Sequence, residues 1–285
     1  MATWNPEWLD SMYNNRALVP DFNRHFVQWQ EASEDARQAH AHVLDIPYGA
    51  GMREKLDIFP GAKKGAPVVV FIHGGYWRSL DKSQHSFIAP AFKNEGACVV
   101  MPNYSLCPDV TIPQITLQMV QALVWTWKNI SRYGGDRNRI TVIGHSAGGH
   151  LATMLLACQW QQVDKKLPPD LVKGALSISG LYDLEPLMHA PNVKDSLMLT
   201  PGQVTMASPA RLPRPAQGRL YTVAGADESA EFLRHNLLMR KAWGRTIVPV
   251  CEKVKKRNHF SVLEDLTAPW TRLHQLASKL VFSAA

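Results

Sequence analysis

The run RITVIGHSAGGHLATMLLAC, residues 139–158, constrains the fold more than any other stretch. Its first part is short, apolar and β-branched, as a strand buried on both faces requires, and its second part carries the apolar spacing of a helix. Between them stand Gly144, Ser146 and Gly148, a G-x-S-x-G turn that only small neighbours permit. Such an elbow lifts the Ser146 hydroxyl out of the sheet edge and faces it with the N-terminus of the following helix. There the backbone N–H of Ala147, helped by the helix dipole, can donate to a developing oxyanion. His145 and His150 are close to the serine in sequence, but adjacent side chains at an elbow point apart, so both read as packing or hydrogen-bonding residues.

The rest of the chain repeats the strand-then-helix rhythm. EKLDIF (54–59), APVVVFIH (66–73), ACVVMPNY (97–104), KGALSISG (173–180), RLYTVAG (219–225) and TIVPVCEKV (246–254) are strand-like, with helical patterns at about 83–95, 113–133, 228–243 and 260–281. This rhythm predicts an α/β fold, a mostly parallel central sheet covered by helices, with its ligand site beyond the carboxyl ends of the strands. A chain of 285 residues is compatible with one such domain spanning 1–285. Residues 1–45, rich in aromatics such as Trp4, Trp8, Phe26 and Trp29, read as a helical N-terminal extension. The Pro-, Met- and Leu-rich stretch at about 184–216 breaks the rhythm and reads either as a small cap over the site or as a surface excursion.

A serine hydroxyl becomes a useful nucleophile only when a histidine removes its proton and a carboxylate orients that histidine. In a fold with this elbow the chain order is Ser, then Asp or Glu, then His. RLYTVAGADES places Asp227 just beyond a strand, and Asp183 in SGLYDLEPL is its rival. His259 follows the last strand, in the loop that opens into the final helix, and is the expected base. His235 and His274 lie inside helices and read as structural.

Bulk properties narrow the function classes. The four cysteines (98, 107, 158, 251) form no C-x-x-C pair, and no apolar stretch reaches the roughly 18 residues of a membrane helix. The N-terminus carries no signal-peptide pattern, so a cytoplasmic location and no membrane partner are expected. A formal charge of +7, partly concentrated in KVKKR (253–257), accompanies no nucleic-acid-binding module. No nucleic-acid partner is therefore expected; a mild attraction for small anions is, and a homodimer is compatible with the sequence.

FIHGGYWR (71–78) is the loop after the third strand, where histidine followed by glycines completes an oxyanion hole. Glycines let the backbone approach a substrate carbonyl, and His73 then braces the loop. Taken together, HGGYW, GHSAGGHLA, SGLYDLEPL, GADESAEFLRHN and NHFSVLEDL resemble the kynurenine formamidase (arylformamidase) family of α/β-hydrolases, near the hormone-sensitive-lipase-like esterases, over roughly residues 54–267. Lipase-like members usually carry a third glycine where Tyr76 stands, which favours the formamidase branch. The resemblance implies an α/β-hydrolase fold, Ser146 as nucleophile, Asp227 as acid, His259 as base, and Gly74, Gly75, Tyr76 and Ala147 around the oxyanion. It implies hydrolysis of the N-formyl group of an aryl formamide such as N-formyl-L-kynurenine, with no metal or organic cofactor. The rings of Tyr76 and Trp77 are expected to wall a pocket for a flat aryl group, and Arg78 or a basic residue near His259 could attract a substrate carboxylate. A general carboxylesterase or aryl-amidase with the same catalytic groups is the alternative. A binding protein on an inactive hydrolase fold is opposed by the complete Ser, acid and His set.

Overall fold

The computed structural model describes residues 4–283. One sheet holds β1 (Val43–Pro47), β2 (Lys55–Phe59), β3 (Ala66–Ile72), β4 (Cys98–Pro102), β5 (Gly135–His145), β6 (Val172–Ile178), β7 (Arg219–Gly225) and β8 (Val250–Val254). Their spatial order is β1-β2-β4-β3-β5-β6-β7-β8. The pairs β1–β2 and β2–β4 are antiparallel, and every pair from β4 across to β8 is parallel.

The continuous apolar run of β3 has a direct structural cause. All seven of its residues are buried. Val68, Val70 and Ile72 enter one core, whereas Val69 and Phe71 enter the other, as the two-residue period of a strand demands. The first core is closed by the helix Ile112–Asn129, through Ile115, Met119 and Leu123, and by the elbow helix Ala147–Leu156, through Leu151 and Leu155. A capping box formed by Thr111 and Gln114 starts the former helix. The second core is closed by the helix Arg272–Phe282, through Leu273, Leu276 and Leu280.

Three segments depart from the sequence expectations. TIVPVCEKV splits: Thr246 and Ile247 finish the helix Ala230–Ile247, and the strand begins only after Pro249. Residues 260–281 form two helices, Val262–Thr267 and Arg272–Phe282, with Pro269 in the break between them. Within the first 45 residues, helices at Pro6–Tyr13, Asn15–Leu18 and Phe22–Ala39 are followed by β1, an edge strand that the helical reading missed.

The stretch 184–216 holds only short helical turns, among them Glu185–Met188, Lys194–Leu197 and Pro201–Ala207. Leu187, Val193, Leu197 and Val204 anchor it in the first core.

Candidate active site

Ser146 sits between the last residue of β5 and the first of the elbow helix, with φ 56° and ψ −118°. A non-glycine residue in that region is strained by about 1–3 kcal/mol and persists only where its surroundings hold it. Here its N–H donates to the Ile178 carbonyl at 2.8 Å, and its carbonyl accepts from the His150 N–H at 3.1 Å. Gly148 makes the turn possible, since a Cβ there would stand 2.0 Å from the Ile72 carbonyl oxygen.

Three side chains form a continuous relay. His259 Nε2 lies 3.1 Å from Ser146 Oγ, and His259 Nδ1 lies 2.7 Å from Glu228 Oε2. The carboxylate is therefore Glu228, and the expectation for Asp227 is corrected. Past the end of β7 the chain turns so that Asp227 faces solvent, its N–H donating to the Arg257 carbonyl at 3.0 Å. One residue further on, the Glu228 side chain is wholly buried. Its Oε1 accepts from Ser179 Oγ at 2.5 Å and from the Gly225 N–H at 2.6 Å, which fixes the carboxylate towards the imidazole. The rival Asp183 is also excluded, because it pairs with Arg211 at 2.8 Å. The run ADES offered two adjacent acids after β7, and only the turn geometry separates them. Ser179, at the end of SIS, carried no sequence signal for its orienting contact.

The neighbouring histidines hold the machinery in place. His145 Nε2 lies 2.8 Å from the His259 carbonyl oxygen, and the two rings are 4.8 Å apart. Burial, and then the His259 charge, push the His145 pKa well below its ordinary value, so it is a neutral brace. His150 Nε2 reaches the Ala207 carbonyl at 2.6 Å, and burial lowers its pKa to about 4. His235 Nδ1 accepts from the Tyr182 N–H, and His274 Nε2 lies 2.8 Å from Glu95.

In the HGGYW loop, Gly75, Tyr76 and Trp77 all have positive φ, at 102°, 51° and 54°. A Cβ at position 75 would stand 2.1 Å from the Ser79 carbonyl oxygen, so that position requires glycine. At Gly74 a Cβ would approach the His145 carbonyl oxygen to 2.9 Å, which shows how tightly the loop passes the elbow. Among the described residues, the N–H groups of Gly74, Gly75, Tyr76 and Ala147 meet no protein acceptor. His73 braces the loop: its Nε2 lies 2.9 Å from Asn103 Oδ1 and its ring stacks on Tyr104 at 4.3 Å. Burial lowers the His73 pKa to about 4.

A pocket opens over Ser146 and His259. Tyr76 lines it, with its hydroxyl held by the Tyr13 carbonyl at 2.6 Å. Trp77 does not, and the expectation that its ring walls the pocket is corrected. It is fully buried in the first core, edge-on to His150 at 5.0 Å, because its left-handed backbone turns the ring away from the mouth. The aromatic wall comes instead from Phe26, Trp29 and Phe260. Two of these, and the nearby Asn14, Asn15 and Arg16, belong to the first 30 residues. The sequence showed those aromatics but gave no sign that they face Ser146.

Among the described residues, no helix is long and apolar enough to cross a membrane, and no group of His, Cys, Asp or Glu side chains is placed to hold a metal ion.

Comparison with known proteins places these features in context. Residues 56–198 match the protein family described as BD-FAE. A kynurenine formamidase from Danio rerio is 31% identical over 284 residues, covering 96% of this chain and 94% of that protein. A crystal structure from Silicibacter sp. TM1040, provisionally described as a thioesterase, superposes with a TM-score of 0.83 at 29% identity, over 96% of this chain and 98% of the other. Esterase B from Lactobacillus rhamnosis shares the fold, with a TM-score of 0.70 at 15% identity over 96% of each chain.

Proposed function

Because the chain belongs to the BD-FAE family of α/β-hydrolases, alongside the kynurenine formamidases, we propose that it hydrolyses the N-formyl amide of aryl formamides such as N-formyl-L-kynurenine. The observation that carries this reading is the Ser146–His259–Glu228 relay, opening into a pocket walled by Phe26, Trp29, Tyr76 and Phe260.

In this mechanism Ser146 Oγ attacks the formyl carbon while His259 Nε2 takes the hydroxyl proton. Glu228 keeps the other ring proton on Nδ1 and stabilises the imidazolium. The oxyanion accepts from the N–H groups of Gly75, Tyr76 and Ala147, which are fixed before substrate arrives. The C–N bond then breaks, and the aryl amine nitrogen receives the proton from His259. Water attacks the formyl ester of Ser146 with His259 again taking a proton; that proton returns to Ser146 Oγ as formate leaves.

A formyl group offers almost no surface to recognise. Selectivity must therefore come from the leaving-group side, where the aromatic wall stands.

Turnover of N-formyl-L-kynurenine compared with p-nitrophenyl acetate and butyrate tests the assignment. A kcat/KM for the formamide at least tenfold above both esters is expected, with loss of activity on labelling Ser146 by a fluorophosphonate. Preference for the butyrate ester would instead make the protein a general carboxylesterase with the same groups.

A further inference from the structure

The mouth of the pocket carries positive charge that the protein itself does not neutralise. Arg16 and Arg78 both line it, no acidic side chain does, and among the described residues neither arginine has a carboxylate partner. Elsewhere Arg211, Arg234, Arg257 and Arg272 each pair with Asp or Glu. The guanidinium of Arg16 rests over the rings of Phe22 and Phe26, 5.4 and 5.6 Å from their centroids, which orients it without cancelling its charge. Arg78 donates one N–H to Ser196 Oγ at 2.8 Å and keeps its other donors. Burial first, and then the charge of Arg16, draw the Arg78 pKa down, so the two cations feel each other.

A third donor lies in the same lining. Asn15 is buried, yet its Nδ2 has no acceptor, a situation that normally costs on the order of 1–3 kcal/mol unless a ligand supplies one. The neighbouring Asn192 uses its Nδ2 on the Tyr13 carbonyl at 3.1 Å.

We propose that Arg16, Arg78 and the side-chain amide of Asn15 form a carboxylate subsite, which selects substrates whose leaving group carries a carboxylate. The inference rests on Ser146 as the acyl-transfer nucleophile and not on the acyl group being formyl. Planar guanidinium groups match a carboxylate bidentately, and the amide N–H completes its acceptor set.

Two matched pairs test it: N-formyl-L-kynurenine against its primary carboxamide, and 3-(4-acetoxyphenyl)propanoate against its carboxamide. In each pair kcat/KM for the carboxylate should exceed that for the amide at least tenfold, with the difference in KM. Arg78→Gln and Arg16→Gln should each cut that ratio about five- to tenfold, and Arg78→Lys should keep part of it. Raising salt from about 0.05 to 0.5 M should lower the ratio in the unmodified enzyme, a readout that needs no variant.

A ratio near one in the ester pair, with formamide turnover intact, would overturn the subsite and leave the formamidase reading standing. Ester selectivity without formamide turnover would do the reverse. If neither pair is turned over, calorimetric titration of Ser146→Ala with L-kynurenine and its carboxamide reads the same ratio. Equal binding there, or arginine substitutions that weaken acid and amide alike, sinks the proposal.

Discussion

The floor and the outer wall of the pocket are built by different means. The floor comes from the carboxyl ends of β3, β5 and β7 and from the loop after β8, and its groups are fixed by backbone contacts as tight as that between Gly148 and Ile72. The wall comes mainly from residues 14–29, joined by Tyr76, Phe260 and, from the 184–216 stretch, Asn192. It is held by side chains: Tyr13, Val19 and Trp29 are buried in the two cores, and bonds run from Tyr76 and Asn192 to the Tyr13 carbonyl, from Ser229 to the Met12 carbonyl at 2.6 Å and from the Tyr13 hydroxyl to Glu231 at 2.5 Å. Bond-making groups need placement within fractions of an ångström, which rigid strand ends supply. A wall that selects substrates can be exchanged without disturbing them.

Breaking the floor should therefore have the largest effect and appear in kcat. Glu228→Gln should lower kcat about 10³- to 10⁴-fold at nearly unchanged KM, because the imidazole loses its tautomer and its counter-charge. Asp227→Asn, one residue away but facing solvent, should stay within about twofold. Steady-state kinetics of the pair decide the matter, and equal losses would mean that the turn after β7 matters only as a unit.

Acid should act through the buried histidines packed around the site. His85 packs on His73 at 5.6 Å, and burial pulls its pKa to about 3, while His73 and His150 lie at about 4. An unfolded chain takes up these protons near pH 6.5, well before the folded one does. The stabilisation from the neutral histidines is thus complete above about pH 7 and is lost as pH falls from about 6.5 towards 4, by an amount on the order of a few kcal/mol. Urea midpoints between pH 7.5 and 5 should fall accordingly, and His85→Phe should flatten the curve. A midpoint that rises on acidification would contradict the neutral assignment.

The same contrast explains what the sequence disclosed. Strand period, the glycine-flanked elbow and the chain order of Ser, acid and His are local signals, so the sheet, Ser146 and His259 could be read directly. The choice between Asp227 and Glu228 depends on how a four-residue turn rotates two adjacent side chains, and no local pattern distinguishes them. Trp77 was misplaced for a related reason: three consecutive positive φ values send its ring into the core. The wall was the least legible part. Residues 14–29 reach Ser146 only through contacts across the whole chain, such as Tyr13 to Glu231 and His235, and periodicity carries no information about such pairings.

A substitution in the wall should act through KM. Trp29 is buried, with its ring 6.2 Å from that of Phe260, and it lines the pocket. Trp29→Leu keeps an apolar filling but removes the flat face. KM for aryl formamides should rise about tenfold while kcat stays within about threefold. A loss confined to kcat would assign Trp29 to the floor instead.

The smallest effect is expected at the anchor of the wall. Tyr13→Phe keeps the buried ring and the carbonyl that receives Tyr76 and Asn192, and removes the hydroxyl that donates to Glu231 and accepts from His235 Nε2 at 3.2 Å. Glu231 retains both bonds to Arg234, at 2.8 Å each, so no buried carboxylate is left without a partner. The loss of stability should be about 1–3 kcal/mol, because the buried His235 Nε2–H is left without an acceptor, with KM raised a few-fold and kcat unchanged within twofold. Urea unfolding together with kinetics separates the two contributions. A tenfold fall in kcat would show that residues 12–13, which also hold Ser229 beside Glu228, belong to the floor as much as to the wall.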